Sequence, residues 1–259
     1  KAVKELGLVP DYIVGDFDSV SNEIREDFRQ YPYIVWEQHK PEKNETDTEL
    51  ARNRALTLSC DEIVFLGATG GRIDHMIGNI HALKTCMGGV TLSGGEVMAM
   101  STDYILQIAK ALKKEEISLT IDTCGYVSYD KFEAILPYVD TFLYDVKVMD
   151  PELHKKYIGV DNKLILDNLV KLSDAGARIY VRIPTIKEVN GNVQNMEDTI
   201  HFLKKHGIHP AQVNLLPYHN TGSSKYPKLD MEYKGNDLSA PTKEEMEGFV
   251  KLFQDAGFS

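Results

Sequence analysis

Cysteine is scarce in this sequence: only three occur in 259 residues, and the closest two, Cys60 and Cys86, stand 26 positions apart. Scattered cysteines cannot build a disulfide framework, and no Cys-x-x-Cys pair suggests structural zinc or dithiol chemistry. Each one, Cys124 included, is predicted to be a small buried apolar residue. Chemistry that needs several neighbouring thiolates is therefore not expected from this chain.

Long apolar runs and an excess of positive charge are also absent. No stretch of 18 or more apolar residues occurs, and the first residues, KAVKELGLVPD, lack the apolar stretch and cleavage site of a signal peptide. The formal net charge is −10, whereas a general nucleic-acid surface needs clustered Lys and Arg to displace counterions from phosphates. We therefore predict an acidic, soluble, cytoplasmic protein that binds neither membranes nor nucleic acids.

What is present is a regular alternation of two patterns. Short runs rich in β-branched and aromatic residues alternate with helical patterns, which is typical of parallel strands joined by crossover helices, so the predicted class is α/β. The predicted strands are Tyr12 to Phe17, Tyr33 to Trp36, Glu62 to Leu66, Val90 to Leu92, Ser118 to Asp122, Thr141 to Val146, Arg178 to Ile183 and Gln212 to Leu216. A hydrophobic content of 42% is enough to fill the cores of one large domain or two ordinary ones.

Two helix starts carry a capping box, in which a Thr side chain caps and a Glu three residues later reaches back. These are Thr46 with Glu49 and Thr242 with Glu245. After the second box, four apolar residues recur at helical spacing and predict a core-facing stripe. They are Met246, Phe249, Val250 and Phe253.

From residue 88 onward, each predicted strand ends in a polar or glycine-bearing segment. The segments are SGGE at 93–96, DTCG at 122–125, YDVK at 144–147, VRIP at 181–184 and LLPYH at 215–219. Ligands bind at the carboxyl ends of parallel strands, so five such segments in series predict one shared site. Asp145 and Lys147 are two apart and can face one ligand or form a buried ion pair. Arg182 and His219 leave the same choice open, between ligand contacts and a salt bridge or a satisfied histidine.

Taken in order, GGVTLSGGE, IDTCGYV, FLYDVKVMDPELHKKYIGV, VRIP and LLPYHNTGSSKY resemble the activating enzymes of glycyl radical enzymes. These belong to the radical-SAM oxidoreductases that include pyruvate formate-lyase activase. The resemblance covers residues 88–259 and implies a partial (β/α) barrel of five strands. It also implies S-adenosylmethionine (SAM) as cofactor and a glycyl radical enzyme, such as pyruvate formate-lyase, as partner.

The resemblance further implies a role for each motif residue. Gly94, Gly95 and Glu96 would lie near the SAM amino group, and Lys147 completes an Asp-x-Lys element with Asp145. The residues implied to hold a monovalent cation beside the SAM carboxylate are Asp122, Thr123 and Asp145. The residues implied to complete the contacts to methionine and ribose are Arg182 and His219.

The family also needs a [4Fe–4S] cluster held by the thiolates of Cys-x-x-x-Cys-x-x-Cys, with one iron left open to SAM. That triplet should precede GGVTLSGGE and does not occur in this sequence. Cys86 is solitary, and Cys124 belongs to a strand end. Because one thiolate cannot replace three, we expect this chain not to carry out the radical reaction.

The first part of the chain has different motifs: VGDFDS at 14–19, KNETDTELA at 43–51 and GATGGRIDH at 67–75. Asp16 and Asp18 are two apart at a strand end and, with Asp47, could face one cation such as Mg²⁺ bound to nucleotide phosphates. An Asx-turn for Asp18 and helix capping for Asp47 explain the same residues. Gly70 and Gly71 precede a helix and could expose backbone N–H groups to a phosphate.

Together these motifs resemble the amino-terminal domain of thiamine pyrophosphokinase. The resemblance implies Mg²⁺, ATP and thiamine as ligands and pyrophosphoryl transfer as the reaction. Asp16, Asp18 and Asp47 would carry the magnesium and acidic roles. The residues implied to line the substrate and nucleotide cleft are Arg72, Asp74 and His75. The family pattern expects a further strand before residue 1 and a β-rich domain after the GGRxDH helix.

We therefore expect two incomplete α/β pieces joined between Lys84 and Gly88. Residues 1–84 would be a three-stranded, parallel, Rossmann-like kinase fragment, and residues 88–259 a five-stranded partial barrel. Three functions stay open: a radical-SAM activase, a thiamine pyrophosphokinase, and a non-enzymatic SAM-binding or inert fusion.

Overall fold

The computed structural model describes residues 3, 7–18, 20–40, 45–58, 89–220, 235 and 237–259. The chain divides into two compact units, Lys1–Met87 and Gly88–Ser259. The predicted strand at 62–66 lies outside the described residues. So do Arg72, Asp74 and His75, and the two cysteines at 60 and 86. No helix in the described part is both long and apolar enough to cross a membrane.

The first unit contains a pair of parallel strands and two described helices. Its elements are β1 (Tyr12–Gly15), α1 (Asn22–Arg29), β2 (Val35–Gln38) and α2 (Asp47–Thr57). The strands pair in register from Tyr12 opposite Val35 to Gly15 opposite Gln38. The capping box predicted for α2 is confirmed, since the Thr46 hydroxyl accepts from the Glu49 N–H while the Glu49 carboxylate accepts from the Thr46 N–H.

Both strand boundaries of this unit differ from the prediction. The first strand stops at Gly15, because Phe17 has a left-handed backbone with φ of 63° that cannot continue a strand. The second begins at Val35, two residues late, because Tyr33 lies in a turn closed by the Ile34 N–H on the Tyr31 carbonyl. Hydrogen bonding to β1, not the aromatic composition, sets the strand.

The second unit is a five-stranded, fully parallel sheet in the order β3-β4-β5-β6-β7. Its elements are β3 (Val90–Leu92), α3 (Thr102–Lys114), β4 (Leu119–Thr123), α4 (Tyr129–Ile135), β5 (Thr141–Asp145), α5 (Pro151–Ile158), α6 (Lys163–Asp174), β6 (Ile179–Thr185), α7 (Val193–Lys205), β7 (Gln212–Pro217) and α8 (Lys243–Asp255). All five predicted strands of this part are present, with ends shifted by at most two residues. The predicted class, α/β with a five-stranded partial barrel, is confirmed.

The two faces of this sheet differ in burial. Along β4, β5 and β6 every second side chain is fully buried, including Ile121, Tyr144 and Val181, and these form the apolar core. The alternate residues are only half-buried and include Asp122, Asp145 and Arg182. Because successive side chains of a strand point to opposite faces, one face carries the packing and the other carries the charges.

The last helix begins at the second predicted capping box, which is confirmed for Thr242 and Glu245. Phe249 and Phe253 are buried, as the stripe predicts. Val250 was predicted to face the core, and this is wrong: 41% of it is exposed. A helix advances about 100° per residue. Val250 therefore lies at the edge of the apolar stripe, whose centre is formed by Phe249 and Phe253.

Candidate functional site

Arg182 joins three strands at the charged face of the second unit. Its Nε donates to Oδ1 of Asp145 at 2.9 Å, and its Nη2 lies 2.7 Å from the same oxygen. Its Nη1 and Nη2 donate to the two carboxylate oxygens of Asp122. Asp122 is on β4, Asp145 ends β5 and Arg182 is on β6, so one planar guanidinium bridges two carboxylates.

This cluster is largely withdrawn from water, since about a fifth of each of the three side chains is exposed. Burial raises the pKa of Asp145, and Arg182 and Lys147 only partly offset that rise. For Arg182, burial alone would lower the pKa, but Asp145 and Asp122 more than compensate and raise it. The three charged side chains therefore lie at the carboxyl ends of the strands, where water screens their charges poorly.

Ser93 extends the cluster to β3, because its hydroxyl donates to Oδ2 of Asp122 at 2.7 Å. Gly94 and Gly95 follow with left-handed φ values of 107° and 64°. A Cβ built on either glycine would meet no atom within 4 Å among the described residues. The backbone of the turn after β3 is thus not covered by side chains, and a ligand could approach it closely.

Glu96 spans from this turn to the end of β4. Its Oε1 accepts from the Met98 N–H at 3.0 Å and from the Thr123 hydroxyl at 2.7 Å. Its Oε2 accepts from the Cys124 N–H at 2.7 Å. The Cys124 thiol also hydrogen-bonds to Glu96. A carboxylate has about four lone-pair positions, so these four donors occupy it. Thr123 lies on the face opposite Asp122, with its hydroxyl engaged by Glu96.

Lys147 lies two residues beyond the end of β5 and is half-buried. Its ammonium charge acts on both Asp145 and Cys124, lowering the pKa of each relative to burial alone. Among the described residues no carboxylate forms an ion pair with it. This leaves a positive group close to the cluster that an anionic ligand group could pair with.

His219 comes two residues after β7 and is exposed. Since β7 is parallel to β6 and next to it, the two strands bring His219 to the same edge of the sheet as Arg182. The structure therefore gathers the predicted residues of the second unit at one edge. Their ligand roles stay predictions.

Cys124 is the one cysteine that the structure describes. The thiol is half-buried, and burial together with the neighbouring Glu96 raises its pKa to about 11. A [4Fe–4S] cluster needs several thiolates, and one cysteine cannot supply them. The residues that the structure describes therefore do not fit a [4Fe–4S] cluster.

The acidic residues of the first unit lie around the end of β1. The Asp18 N–H donates to Oδ1 of Asp16 at 3.1 Å, so the Asx-turn here is made by the Asp16 side chain and not by that of Asp18, for which it was predicted. Asp47 opens α2, and its carboxylate lies against Gly15, where an added Cβ would be 3.0 Å from it. Asp47 is not the cap, because Thr46 is.

No three His, Cys, Asp or Glu side chains in the described part are grouped so that they could hold a metal ion. The magnesium role of Asp16, Asp18 and Asp47 thus stays a prediction. So does the monovalent-cation role of Asp122 and Asp145, which share the Arg182 guanidinium.

Sequence reasoning overlooked four asparagines that hold the loops of this site, namely Asn162, Asn168, Asn190 and Asn195. Asparagine is common in turns, so the sequence offered no signal that these side chains are buried. Ser93 is the first residue of SGGE, and a hydroxyl directly before a glycine turn is a signal that could have pointed to it.

Comparison with known proteins gives two family matches. The family "Radical SAM superfamily" matches residues 71–216, and "Thiamin pyrophosphokinase, catalytic domain" matches residues 1–89. Both resemblances predicted from the motifs are thereby confirmed. The two matches share residues 71–89, around the predicted junction.

Among curated proteins, trans-4-hydroxy-L-proline dehydratase activating enzyme of Clostridioides difficile is 44% identical over 66% of this chain. The (2S)-3-sulfopropanediol dehydratase activating enzyme of Klebsiella oxytoca is 39% identical over 57% of it. The chain covers 57% and 46% of these relatives, so it spans about half of their length.

Among solved structures, a domain of pyruvate-formate lyase-activating enzyme from Bacteroides vulgatus matches with a TM-score of 0.57 and 27% identity. The match covers 66% of this chain and 96% of that one. The parallel sheet, the polar groups at its carboxyl edge and a family match over more than half of the sequence agree, and the chain belongs to the radical SAM superfamily.

Proposed function

We propose that residues 88–259 are the SAM-binding part of an activating enzyme for a glycyl radical enzyme. The observation that carries this proposal is the Asp122–Arg182–Asp145 cluster at the carboxyl ends of β4, β5 and β6, with Lys147 beside it. The identity to two activating enzymes supports the same function. The partner would be a glycyl radical enzyme of the pyruvate formate-lyase kind.

The polar groups of the site complement those of SAM, which carries an ammonium, a carboxylate, a sulfonium and ribose hydroxyls. The turn at Gly94 and Gly95 leaves backbone accessible, and the Glu96 carboxylate directly after it would place negative charge near the SAM ammonium. Lys147 could pair with the SAM carboxylate, and Arg182 and His219 could contact methionine and ribose. When SAM is bound to a reduced cluster in this family, the two together supply the radical chemistry.

The chain's own residues would bind and orient SAM, and no more. The family's cluster needs three thiolates, and no Cys-x-x-x-Cys-x-x-Cys occurs in the 259 residues. We propose that this chain binds SAM without assembling the cluster. A monovalent cation beside the SAM carboxylate, near Asp122, Thr123 and Asp145, is part of the same proposal.

Calorimetric titration of the full chain with SAM tests the proposal. Wild type should bind, and Lys147→Met should weaken binding by about tenfold, because a poorly screened charge pair is lost. Lys163→Met is the matched control, since Lys163 pairs with Asp167 on an exposed helix surface. Absence of SAM binding by wild type would refute the function.

Anaerobic reconstitution with iron and sulfide tests the second part of the proposal, that this chain does not assemble the cluster. We expect no stoichiometric four-iron cluster. An EPR-active cluster that changes on adding SAM would show that this half of the proposal is wrong.

Thiamine pyrophosphokinase is the second candidate, favoured by the family match over residues 1–89. The acidic residues near the end of β1, with Asp47 against Gly15, would face Mg²⁺ and ATP. Thermal-shift measurements with thiamine and Mg-ATP, compared with SAM alone, separate the candidates, since a ligand stabilises only a native state that binds it. Stabilisation by SAM alone would exclude the kinase function.

A further inference from the structure

Three buried asparagines act alike at the carboxyl edge of the sheet. Each donates both hydrogens of its carboxamide to two backbone carbonyls. Asn168 donates to Gly125 and Val127 at 2.8 and 2.7 Å. Asn162 donates to Val148 and Met149 at 2.9 and 2.7 Å, and Asn190 to Lys147 and Pro184 at 2.5 and 2.8 Å.

Two of the three side chains come from outside the loops that they hold. Asn168 belongs to α6 and reaches the loop after β4, whereas Asn162 precedes α6 and reaches the loop after β5. Asn190 lies in the loop after β6 and connects its own strand end to the loop after β5. All three are at most 5% exposed. The loops after β4, β5 and β6 are therefore tied together independently of any ligand.

A fourth asparagine acts through its carboxamide oxygen instead of its nitrogen. Asn195, in the first turn of α7, accepts from the Met149 N–H through Oδ1 at 2.8 Å. Its Nδ2 is buried and has no partner among the described residues. Residues 147–149 thus have three carbonyls and one N–H fixed by three asparagine side chains.

The chemistry of the carboxamide explains why asparagine stands here. A loop that leaves a strand has carbonyls without sheet partners, and each buried one costs free energy unless a donor meets it. A carboxamide offers two N–H groups in one plane on a short stem that loses little side-chain entropy. One asparagine can therefore satisfy two carbonyls and fix their separation.

We propose that Asn162, Asn168 and Asn190 are positioning residues that hold Lys147 and the end of β4 in the ligand-binding arrangement before the ligand arrives. This rests on the proposed SAM site: Lys147 belongs to the tied segment after β5, and Asp122 is on the strand that leads into the tied loop at 125–127. A loop ordered in advance does not lose conformational entropy on binding, so the affinity for SAM depends on these side chains.

The test uses one chemical change with opposite expectations at two sites. Asn190→Asp keeps an oxygen for the Ile186 N–H, at 2.8 Å from Oδ1 in wild type, but places an acceptor against two carbonyls. Asn195→Asp keeps the acceptor for Met149, removes an unpartnered donor and puts an acidic group in the first turn of a helix, where it is favoured.

Two measurements are made on the full chain: hydrogen–deuterium exchange of the segment 146–150 without ligand, and the SAM dissociation constant. We expect N190D to lose exchange protection and to weaken SAM binding by about tenfold, and N195D to stay within about twofold of wild type. Asn162→Asp, which should behave like N190D, keeps the test decisive if N190D does not fold.

Equal exchange and equal SAM affinity in N190D and N195D would overturn the proposal, as would a defect in N195D alone. If wild type does not bind SAM, the proposed function fails, and exchange in the free chain then decides the role of the asparagines by itself. Unchanged protection in N190D and N162D would show that they position nothing.

Discussion

The phenol of Tyr144 fills the space where Gly125 would carry a side chain. A Cβ built on Gly125 would lie 1.8 Å from the Tyr144 Oη, far inside van der Waals contact. The phenol is fixed there because its hydroxyl donates to the Ile165 carbonyl at 2.6 Å. The loop after β4, which follows Asp122 in sequence, is therefore seated directly on a core side chain of β5.

Gly125→Ala should therefore destabilise the protein more than any ordinary glycine substitution. Gly176 is the matched control: its φ of 76° equals the 75° of Gly125, but an added Cβ would meet nothing within 4 Å among the described residues. We expect about 1 kcal/mol for Gly176→Ala from the left-handed backbone, and at least about 3 kcal/mol for Gly125→Ala from backbone and overlap together. Urea unfolding of both variants measures the difference, and equal losses would contradict it.

Removing Arg182 should leave two carboxylates facing each other. We expect Arg182→Met to lower the free energy of unfolding by about 2–3 kcal/mol, less than a fully buried pair would lose, because the cluster is partly exposed. Arg182 holds down the pKa of Asp145 against burial, so its loss raises that pKa further. A carboxyl whose folded pKa is raised destabilises once the pH is high enough to ionise it, so the defect should be larger at pH 8 than at pH 4.

Urea unfolding at the two pH values measures this effect. Arg178→Met is the control, because Arg178 is exposed just before the same strand and, among the described residues, its side chain donates only to the Tyr180 hydroxyl. A defect in Arg182→Met that is as large at pH 4 as at pH 8 would speak against the electrostatic cause.

Glu96→Ala should leave four donors without their acceptor, namely the Met98 N–H, the Thr123 hydroxyl, and the N–H and thiol of Cys124. We expect a loss of about 2–4 kcal/mol in the free energy of unfolding, since two of these groups are partly buried backbone N–H groups, one in the short 3₁₀ turn Val97–Ala99 and one just after β4. Glu188→Ala is the comparison: Glu188 accepts from the Ser239 N–H and hydroxyl but is exposed, so about 0.5 kcal/mol is expected. Similar losses in the two variants would mean that Glu96 stabilises the fold no more than an exposed glutamate does.

Cys124 should make stability fall in alkaline solution. Its pKa is raised to about 11 from 9.0 by burial and Glu96, so between these values the unfolded chain releases the proton while the folded chain keeps it. The folded state then binds more protons, and the free energy of unfolding decreases as the pH rises. Allowing for partial exposure of the thiol, the decrease should be about 1–2 kcal/mol.

Comparison with Cys124→Ala isolates this contribution, because other groups titrate in both proteins. The variant should lose less stability than wild type between pH 9 and 10.5 in urea unfolding. Parallel pH profiles would show that the thiol ionises equally in both states.

The sequence predicts the strands of the second unit well because β-branched and aromatic residues recur along them, and in β4, β5 and β6 every second residue is buried. It misplaces β2, where Glu37 and Gln38 pair with Val14 and Gly15 although neither is a strand former. Pairing between strands depends on register, and no local pattern encodes register.

The site shows the same division. Motif order brought Asp122, Asp145 and Arg182 to one edge, but only coordinates show that a single guanidinium holds both carboxylates. Likewise Asn168 and the loop at 125–127 are more than 40 positions apart, so their contact is invisible in the sequence.

The two faces of the five-stranded sheet separate the residues that stabilise the second unit from those that would contact a ligand. A saturation scan of β4, β5 and β6 for thermal stability should show intolerance at every second position, because those residues form the apolar core. At the positions in between, substitutions that change side-chain shape should be tolerated more readily. Their main effects should be on charge and ligand affinity. Such a scaffold allows ligand preference to drift along one set of residues while the other set keeps the chain folded.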